Sequence, residues 1–373
     1  MPLFLLLLAT ITAVFALLNL GWAPDWVWIW KTAIVTGEYG HWLVLWPLGL
    51  AGLVVRQGAG GPVRLATLAL CALAAAGLLR PAAQAWWLGR GLGGAAFSFA
   101  RLYAGTSPGP ASVRTEVFAR PDGQELKLDF YRPGAAGDAL PPPRPCVVVI
   151  HGGGWDGGDR TQLAGWNPRL VARGYAVAAI SYRLAPRSVW PAQGEDVRAA
   201  VAWLKTNAAR LGIDPARLVL LGRSAGGQLA TAVGYGARDR AIRGVIALYA
   251  PHDMPFAWSV SREDDALNSI KLMRQYFGGP PDAPAQVARY ESASGQLLAT
   301  KDSPPTLLIH GVPDTLAWYR HSERLAARLT ELGVPHTHLQ LPWATHGFDF
   351  NPDGPGGQLA DYAIARFLAE VTR

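Results

Sequence analysis

Continuous apolar runs separated by helix-like stretches are the feature of this 373-residue sequence that most restricts its fold. Beyond residue 125, each run has the length of a strand, and the stretches between them space their apolar residues as helices do. Strands that are apolar along their whole length are typical of a parallel sheet covered by helices on both faces. We therefore expect an α/β fold with a doubly wound, mostly parallel sheet. The runs are PCVVVIHG, YAVAAISYRLAP, ARLVLLGRSAGG, IRGVIALYAPHD, PPTLLIHGVPD and PHTHLQLPWATHG.

The first hundred residues have a different composition, with three uncharged runs at residues 3–21, 39–55 and 65–79. The first run is long enough to span a bilayer, and the other two are at or below the usual length. Eight of the fifteen tryptophans lie here, mostly at the ends of the runs, where an interfacial aromatic belt would place them. These are Trp22, Trp26, Trp28, Trp30, Trp42, Trp46, Trp86 and Trp87. The pattern predicts two or three transmembrane helices.

A cleaved signal peptide followed by an apolar helical subdomain is the alternative interpretation of this region. No basic segment precedes the first run and no small-residue cleavage site follows it, which favours a multi-pass membrane anchor. Basic residues lie on both sides of the runs, so the sequence does not assign an orientation. We expect a membrane-anchoring region at residues 1–103, a linker at 104–112 (AGTSPGPAS) and the α/β domain at 113–373.

Composition argues against several other classes of function. The formal net charge is +7, but no basic run is interleaved with aromatic residues, so we expect no nucleic-acid partner. Two cysteines, Cys71 and Cys146, provide neither a disulfide framework nor a metal site. His336 and His338 alternate along a strand and lack a third ligand nearby, so no metal is expected. The sequence does not indicate an oligomeric state.

The segment GRSAG, residues 222–226, fits the pattern G-x-S-x-G directly after a strand-like run and before an Ala-rich helical stretch. In this setting the serine hydroxyl is exposed by a tight strand-to-helix turn, and the glycines avoid collisions with neighbouring backbone. A fortuitous match in a Gly-rich chain is the alternative. The strand–turn–helix context favours Ser224 as a catalytic nucleophile.

Three consecutive glycines follow His151 at the end of another predicted strand. In acyl transfer the attacked carbonyl oxygen becomes an anion, and backbone N–H groups directed at it stabilise the transition state by several kcal/mol. We predict an oxyanion hole formed by the N–H groups of Gly153, Gly154 and Ala225. A plain tight turn is the alternative, but it would need only one or two glycines. We expect His151 to hold the loop rather than to react.

A serine nucleophile needs a histidine base and an acid that orients it. His346 follows the last predicted strand and precedes the last helix, which is the base position in the chain order serine, acid, histidine. Asp314 follows the strand TLLIHG by a short turn and is the predicted acid. The other acids considered are Asp302, Asp349 and Glu323.

With these residues, the chain resembles the α/β-hydrolase family and, more narrowly, carboxylesterases of the hormone-sensitive-lipase and BD-FAE type. The matching segments are HGGGW, ISYRLAP, DVRAAVAWLKTNA, GRSAGG, HGVPD and THGF, which cover residues 113–373. Two departures favour the BD-FAE-like branch. Arg223 stands before the nucleophile where the lipase group usually has Asp, and only 38 residues separate the linker from His151, too few for that group's helical cap.

The resemblance implies an α/β-hydrolase fold and hydrolysis of carboxylic esters through an acyl-enzyme, without a cofactor. The substrate would be a small or lipid-borne ester, and the segment 254–301 would form a lid over the pocket. The same machinery serves acyltransferases, amidases and peptidases, which remain alternatives. A hydrolase fold that only binds a ligand is a further alternative.

Overall fold

The computed structural model describes residues 2–21, 26–58, 60–93, 96–133 and 143–373. Trp22, one of the tryptophans noted above, lies outside these residues. Within them the chain forms two compact units. The helical unit comprises residues up to 106 together with 311–318 and 340–362, and the sheet unit comprises 107–310, 319–339 and 363–373. The predicted boundary at residues 103–113 stays a prediction.

The described part of the chain contains eight strands, which form a single sheet in the order β1-β2-β4-β3-β5-β6-β7-β8. The two pairs β1–β2 and β2–β4 are antiparallel, whereas β4–β3, β3–β5, β5–β6 and β6–β7 are parallel. The predicted mostly parallel sheet is therefore confirmed. The strands are β1 Ala111–Ala119, β2 Leu126–Pro133, β3 Arg144–Ile150, β4 Ala176–Ile180, β5 Ile213–Arg223, β6 Ile242–Leu248, β7 Thr306–Gly311 and β8 His336–Leu341.

The central strands are buried because helices cover both faces of the sheet. In β3, every side chain from Cys146 to Ile150 is buried, and β4 is buried along its whole length. Strand β1 lies at the edge, and much of it is exposed or half-buried. Continuous apolar sequence thus occurs where both faces are covered.

Ten α-helices follow the first strands and alternate with the rest of the sheet. Helix α14 shows the pattern clearly: Leu325 and Leu329 are fully buried and lie one turn apart, as the helical period requires. The ten helices are α6 Asn167–Ala172, α7 Ala192–Thr206, α8 Ala208–Leu211, α9 Ala225–Gly236, α10 Met254–Val260, α11 Ser269–Phe277, α12 Pro284–Ser292, α13 Gly295–Leu298, α14 Arg320–Glu331 and α15 Pro355–Val371.

The N-terminal region consists of five helices: α1 Pro2–Leu17, α2 Val27–Leu43, α3 Leu45–Arg56, α4 Pro62–Gly91 and α5 Phe99–Ala104. Among the described residues, only α4 is both long and apolar enough to cross a membrane. Helices α1 and α3 are apolar but have 16 and 12 residues. The uncharged run at 39–55 is divided between α2 and α3. The structure thus offers one helix that could span a membrane by its length and composition, and the predicted two or three spans stay a prediction.

Small residues let the N-terminal helices approach one another closely. A β-carbon at Gly77 of α4 would lie 2.8 Å from the carbonyl oxygen of Ala16 in α1, and one at Gly40 of α2 would lie 2.2 Å from that of Leu78 in α4. Ala13, Ala16 and Leu78 belong to one buried cluster of these helices. Close packing through small residues is typical of helices in membranes, and it also occurs in buried helical bundles.

Candidate active site

Ser224 lies at the sharp turn between β5 and α9, with the backbone angles φ 51° and ψ −121°. A positive φ is strained for a residue with a side chain, and such strain is typical of functional sites. The turn is held because the Ser224 N–H donates to Leu248 O at 2.9 Å and its carbonyl accepts from Gly227 N at 2.9 Å. The strand–turn–helix arrangement expected for G-x-S-x-G is therefore present at this serine.

Both glycines of the motif are required by their surroundings. A β-carbon at Gly222 would stand 2.0 Å from the carbonyl oxygen of Gly226. One at Gly226 would stand 2.2 Å from the carbonyl oxygen of Ile150, the last residue of β3. Any side chain at these positions would force the turn away from the neighbouring strand.

The glycine loop after β3 lies directly beside the nucleophile. A β-carbon at Gly152 would stand 3.2 Å from Cβ of Ser224. Gly153 and Gly154 have φ values of +109° and +59°, which L side chains rarely adopt. The Gly152 N–H donates to Oε1 of Gln162 at 2.7 Å. Within the residues that the structure describes, the N–H groups of Gly153 and Gly154 have no acceptor, so they are available to a ligand.

His151 holds the glycine loop, as its position suggested. Its ring stacks on Tyr182 with centroids 4.1 Å apart, and the Tyr182 hydroxyl donates to His151 O at 3.1 Å. Nδ1 of His151 lies 2.7 Å from the carbonyl oxygen of Gly152. Burial lowers the pKa of His151 to about 4, so the ring is neutral at physiological pH and its Nδ1 donates to that carbonyl.

A polar network that the sequence analysis missed connects the glycine loop to the predicted lid. Oε1 of Gln228 accepts from Trp155 Nε1 at 2.8 Å and from the Tyr276 hydroxyl at 3.0 Å. The Trp155 and Tyr276 rings are stacked 4.3 Å apart, and Nε2 of Gln228 donates to Ala293 O. Gln228 lies one helical turn after Ser224. This spacing is the only feature of the sequence that could have indicated that Gln228 links the glycine loop to the predicted lid.

Helices α10 to α13 occupy the segment predicted as a lid. Leu272 of α11 lies beside Gly154, since a β-carbon built on Gly154 would stand 3.0 Å from Cδ2 of Leu272. Helix α11 of this segment therefore packs closely against the glycine loop. The lid function itself stays a prediction.

Arg223, the departure noted in the motif, is only 2 % exposed. Its guanidinium carbon lies 5.5 Å from the ring centroid of Trp166, within the range of a cation–π interaction. The aromatic face thus helps to stabilise a buried positive charge that precedes the nucleophile.

In the helical unit, the structure brings together Asp314 and His346. Oδ2 of Asp314 lies 2.8 Å from Nδ1 of His346. The other carboxylate oxygen of Asp314 accepts from the N–H groups of Leu316 at 2.9 Å and Ala317 at 3.0 Å. Asp314 is completely buried, and His346 is 8 % exposed. The pair has the geometry by which an acid selects the tautomer of a histidine base.

The other acids that the sequence offered have different surroundings. Asp302 is exposed in a turn, and Glu323 pairs with Arg320 at 3.0 Å. Asp349 is buried, and its charge raises the pKa of Glu38. Of these four acids, Asp314 is the one whose carboxylate lies within hydrogen-bond distance of the His346 ring. Among the described residues, no cluster of three or more His, Cys, Asp or Glu side chains could hold a metal ion.

The sequence matches a known protein family and several characterised esterases. The BD-FAE family model matches residues 128–329, more than half of the chain. The Mycobacterium tuberculosis esterase LipC is 30% identical over 248 residues, covering 62% of this chain and 59% of its own length. Esterase LipQ of the same organism is 27% identical over 282 residues, covering 71% and 65%. The chain thus spans about three fifths of the length of these curated relatives.

Solved structures agree with the sheet topology. A bacterial heroin esterase superposes with a TM-score of 0.60 at 25% identity, covering 72% of this chain and 87% of that one. The Pyrobaculum calidifontis esterase has a TM-score of 0.60 at 27% identity, covering 70% and 86%. The chain therefore has the α/β-hydrolase fold.

Proposed function

Because the chain belongs to the BD-FAE family, we propose that it is a serine carboxylesterase acting through Ser224, His346 and Asp314. The observation that carries the proposal is the strained turn at Ser224 beside the glycine loop, since a β-carbon at Gly152 would stand 3.2 Å from Cβ of this serine. A nucleophile and free backbone N–H groups side by side are what acyl transfer requires. Its esterase relatives support the same reaction class.

In the proposed reaction, Oγ of Ser224 attacks the ester carbonyl while Nε2 of His346 takes the hydroxyl proton. Asp314 accepts the Nδ1–H of His346 at 2.8 Å, which keeps Nε2 unprotonated and stabilises the imidazolium once it forms. The developing oxyanion accepts hydrogen bonds from the N–H groups of Gly153, Gly154 and Ala225. His346 then protonates the departing alcohol, which leaves the acyl group on Ser224. Water activated by His346 releases the acid and restores the serine.

The placement of these residues in the sheet supports their joint action. Ser224 follows β5 and Asp314 follows β7, and both strands run parallel to β6, which lies between them in the sheet. Reactive groups of such sheets gather beyond the carboxyl ends of the strands. The order of these strands therefore supports the proposed triad.

We also propose that the N-terminal region anchors the enzyme in a membrane, with α4 as a span and α1 and α3 as further apolar helices of a multi-pass arrangement. Large apolar side chains on these helices are exposed: Leu3 is 71%, Leu65 71% and Leu45 59% exposed. Large apolar side chains exposed on several neighbouring stretches of chain are what contact with lipid would explain. The substrate is then a small-molecule or lipid-borne ester. Alkaline carbonate extraction of membranes from expressing cells tests the anchor: release of the protein into the supernatant would contradict it.

The activity is tested with p-nitrophenyl esters of graded chain length and a matching p-nitroanilide, using the full-length protein and Ser224→Ala. We expect ester turnover that Ser224→Ala abolishes and little anilide turnover. Preferential anilide cleavage would indicate an amidase or peptidase, and acyl transfer to an added alcohol in preference to water would indicate an acyltransferase. Absence of any Ser224-dependent turnover would favour a ligand-binding protein.

A further inference from the structure

Helix α2 contacts the residue that carries the proposed catalytic base, although the sequence indicated only an anchoring role for this region. Nε1 of Trp30 donates a hydrogen bond to the carbonyl oxygen of His346 at 2.8 Å, across 316 positions of sequence. The indole and imidazole rings lie edge to face, with centroids 6.4 Å apart. The bond therefore holds the backbone of His346 itself.

The next turn of α2 lies against the residue that follows the base. Gly347 has a φ of +82°, and a β-carbon built there would be 3.5 Å from Cδ1 of Ile34. This is an ordinary packing distance, so Ile34 borders the turn closely without distorting it. The turn that presents the imidazole thus packs against α2 as well as bonding to it.

Glu38, two turns after Trp30, anchors the other end of the same segment. Its carboxyl group accepts from the Gly356 N–H at 3.0 Å, and Gly356 is the second residue of α15. Asn351 donates through Nδ2 to the Glu38 carbonyl oxygen at 3.2 Å. A β-carbon at Gly354 would stand 2.4 Å from Oε2 of Glu38, so the glycine makes room for the carboxylate. The chain from His346 to α15 is therefore fixed at both ends by α2.

We propose that Trp30 is a positioning residue for His346, so that helix α2, which also holds the far end of this segment through Glu38, is part of the catalytic apparatus. The inference rests on the proposed esterase function. His346 lies in an irregular segment between β8 and α15, and such segments are mobile unless their backbone polar groups are bound. Asp314 fixes the ring at Nδ1, but the ring can be aimed at a serine only if its backbone is also held. A displacement of about 1 Å in a catalytic group reduces turnover about a hundredfold.

Loss of the hydrogen bond between Trp30 and His346 should change kcat and KM differently. In this inference Trp30 acts through the backbone of the base and not on the ester, so its loss should lower kcat and leave KM nearly unchanged. The rate of covalent modification of Ser224 by a fluorophosphonate should fall with kcat, since both need the base. A residue that only stabilised the fold would instead lower the melting temperature and the fraction of active sites.

The test uses the full-length protein in detergent with p-nitrophenyl acetate as the probe. Trp30→Phe removes the indole N–H, and Trp30 replaced by 3-benzothienylalanine removes only that N–H while keeping the shape of the ring. Trp28→Phe is the matched control, because Trp28 lies on the same helix and is 78% exposed. Active sites are counted by fluorophosphonate titration, and melting temperatures are recorded for every variant.

We expect both changes at Trp30 to lower kcat per active site by about ten- to a hundredfold, with KM within about twofold of the wild type, whereas Trp28→Phe keeps kcat. Wild-type kcat in the 3-benzothienylalanine variant would overturn the inference, even if Trp30→Phe failed to fold. In that case Ser224→Ala would still be inactive and the proposed function would stand. Turnover that Ser224→Ala leaves unchanged would overturn the proposed function and the inference together.

Discussion

Asp314 contacts His346 through one carboxylate oxygen, 2.8 Å from Nδ1, while its other oxygen accepts two backbone N–H groups of the following turn. The carboxylate is thereby fixed from both sides in a site without solvent exposure. A group held in this way orients a histidine and does not itself need to exchange protons.

Replacement of this carboxylate by an amide should leave the fold intact and stabilise the wrong tautomer of His346. We expect Asp314→Asn to lower kcat by about 10⁴-fold, measured with p-nitrophenyl acetate. Asp302→Asn is the control, since Asp302 is an exposed carboxylate near β7 in sequence. Comparable losses in both variants would show that Asp314 has no special role.

Gly226 should tolerate no side chain. A β-carbon there would overlap the carbonyl oxygen of Ile150, so we expect Gly226→Ala to destabilise the protein by about 3 kcal/mol or to prevent folding. Gly236→Ala on the same helix is the matched control: its β-carbon would meet only Cδ1 of Leu298, at 3.6 Å. Helix propensity predicts that this control is neutral or stabilising by up to about 1 kcal/mol. Thermal unfolding of both variants compares them, and equal melting temperatures would contradict the close packing.

Local patterns predicted the residues around the nucleophile well. The G-x-S-x-G turn needs only a strand, a helix and two glycines within a few residues, and all of these are visible in sequence. The doubly wound sheet was predictable for a similar reason, because strands such as β3 are apolar on both faces. The contact between Asp314 and His346 could be anticipated because each follows a strand of the sheet, and the loops that follow parallel strands gather at one edge. The catalytic role of Asp314 stays a prediction.

Contacts between distant segments could not be predicted in this way. The Trp30 indole resembled a membrane-interface residue in composition, and no local pattern indicates that its N–H would reach His346. In the sequence Glu38 is simply the charge that precedes the apolar run at 39–55, whereas in the structure it binds the first turn of α15. Such contacts depend on how helices pack against distant segments. The periodicity of a sequence predicts which face of a helix is buried, but it does not predict which residues that face will contact.

Glu38 should make stability depend on pH. Burial raises its pKa to about 8, and the nearby charge of Asp349 acts in the same direction, while hydrogen bonds from Gly356, Gly357 and Trp343 oppose the shift. Between the ordinary carboxyl value of 4.5 and about 8, the folded protein keeps a proton that the unfolded chain has lost. The contribution of Glu38 to the free energy of unfolding is therefore fully present below pH 4.5, and it is lost as the pH rises through about 8.

The corresponding variant is Glu38→Gln, which keeps an acceptor oxygen and cannot ionise. We expect the wild type to lose more stability than Glu38→Gln as the pH rises from 5 to 9, measured by denaturant unfolding in detergent. Burial and the neighbouring carboxyl groups of Glu38 and Asp353 raise the pKa of the Tyr39 hydroxyl above its ordinary value of 10, so Tyr39 stays neutral across this range. Parallel pH profiles would mean that Glu38 is ionised in the folded protein.

The most direct test of the proposed function is to locate the covalent adduct formed when the full-length protein reacts with a fluorophosphonate ester analogue. Digestion and mass spectrometry identify the modified residue, and the rate is compared among the wild type, Ser224→Ala and His346→Ala. The account predicts one adduct on Ser224, none in Ser224→Ala, and much slower labelling in His346→Ala. Labelling of a different residue, or undiminished labelling in Ser224→Ala, would contradict it.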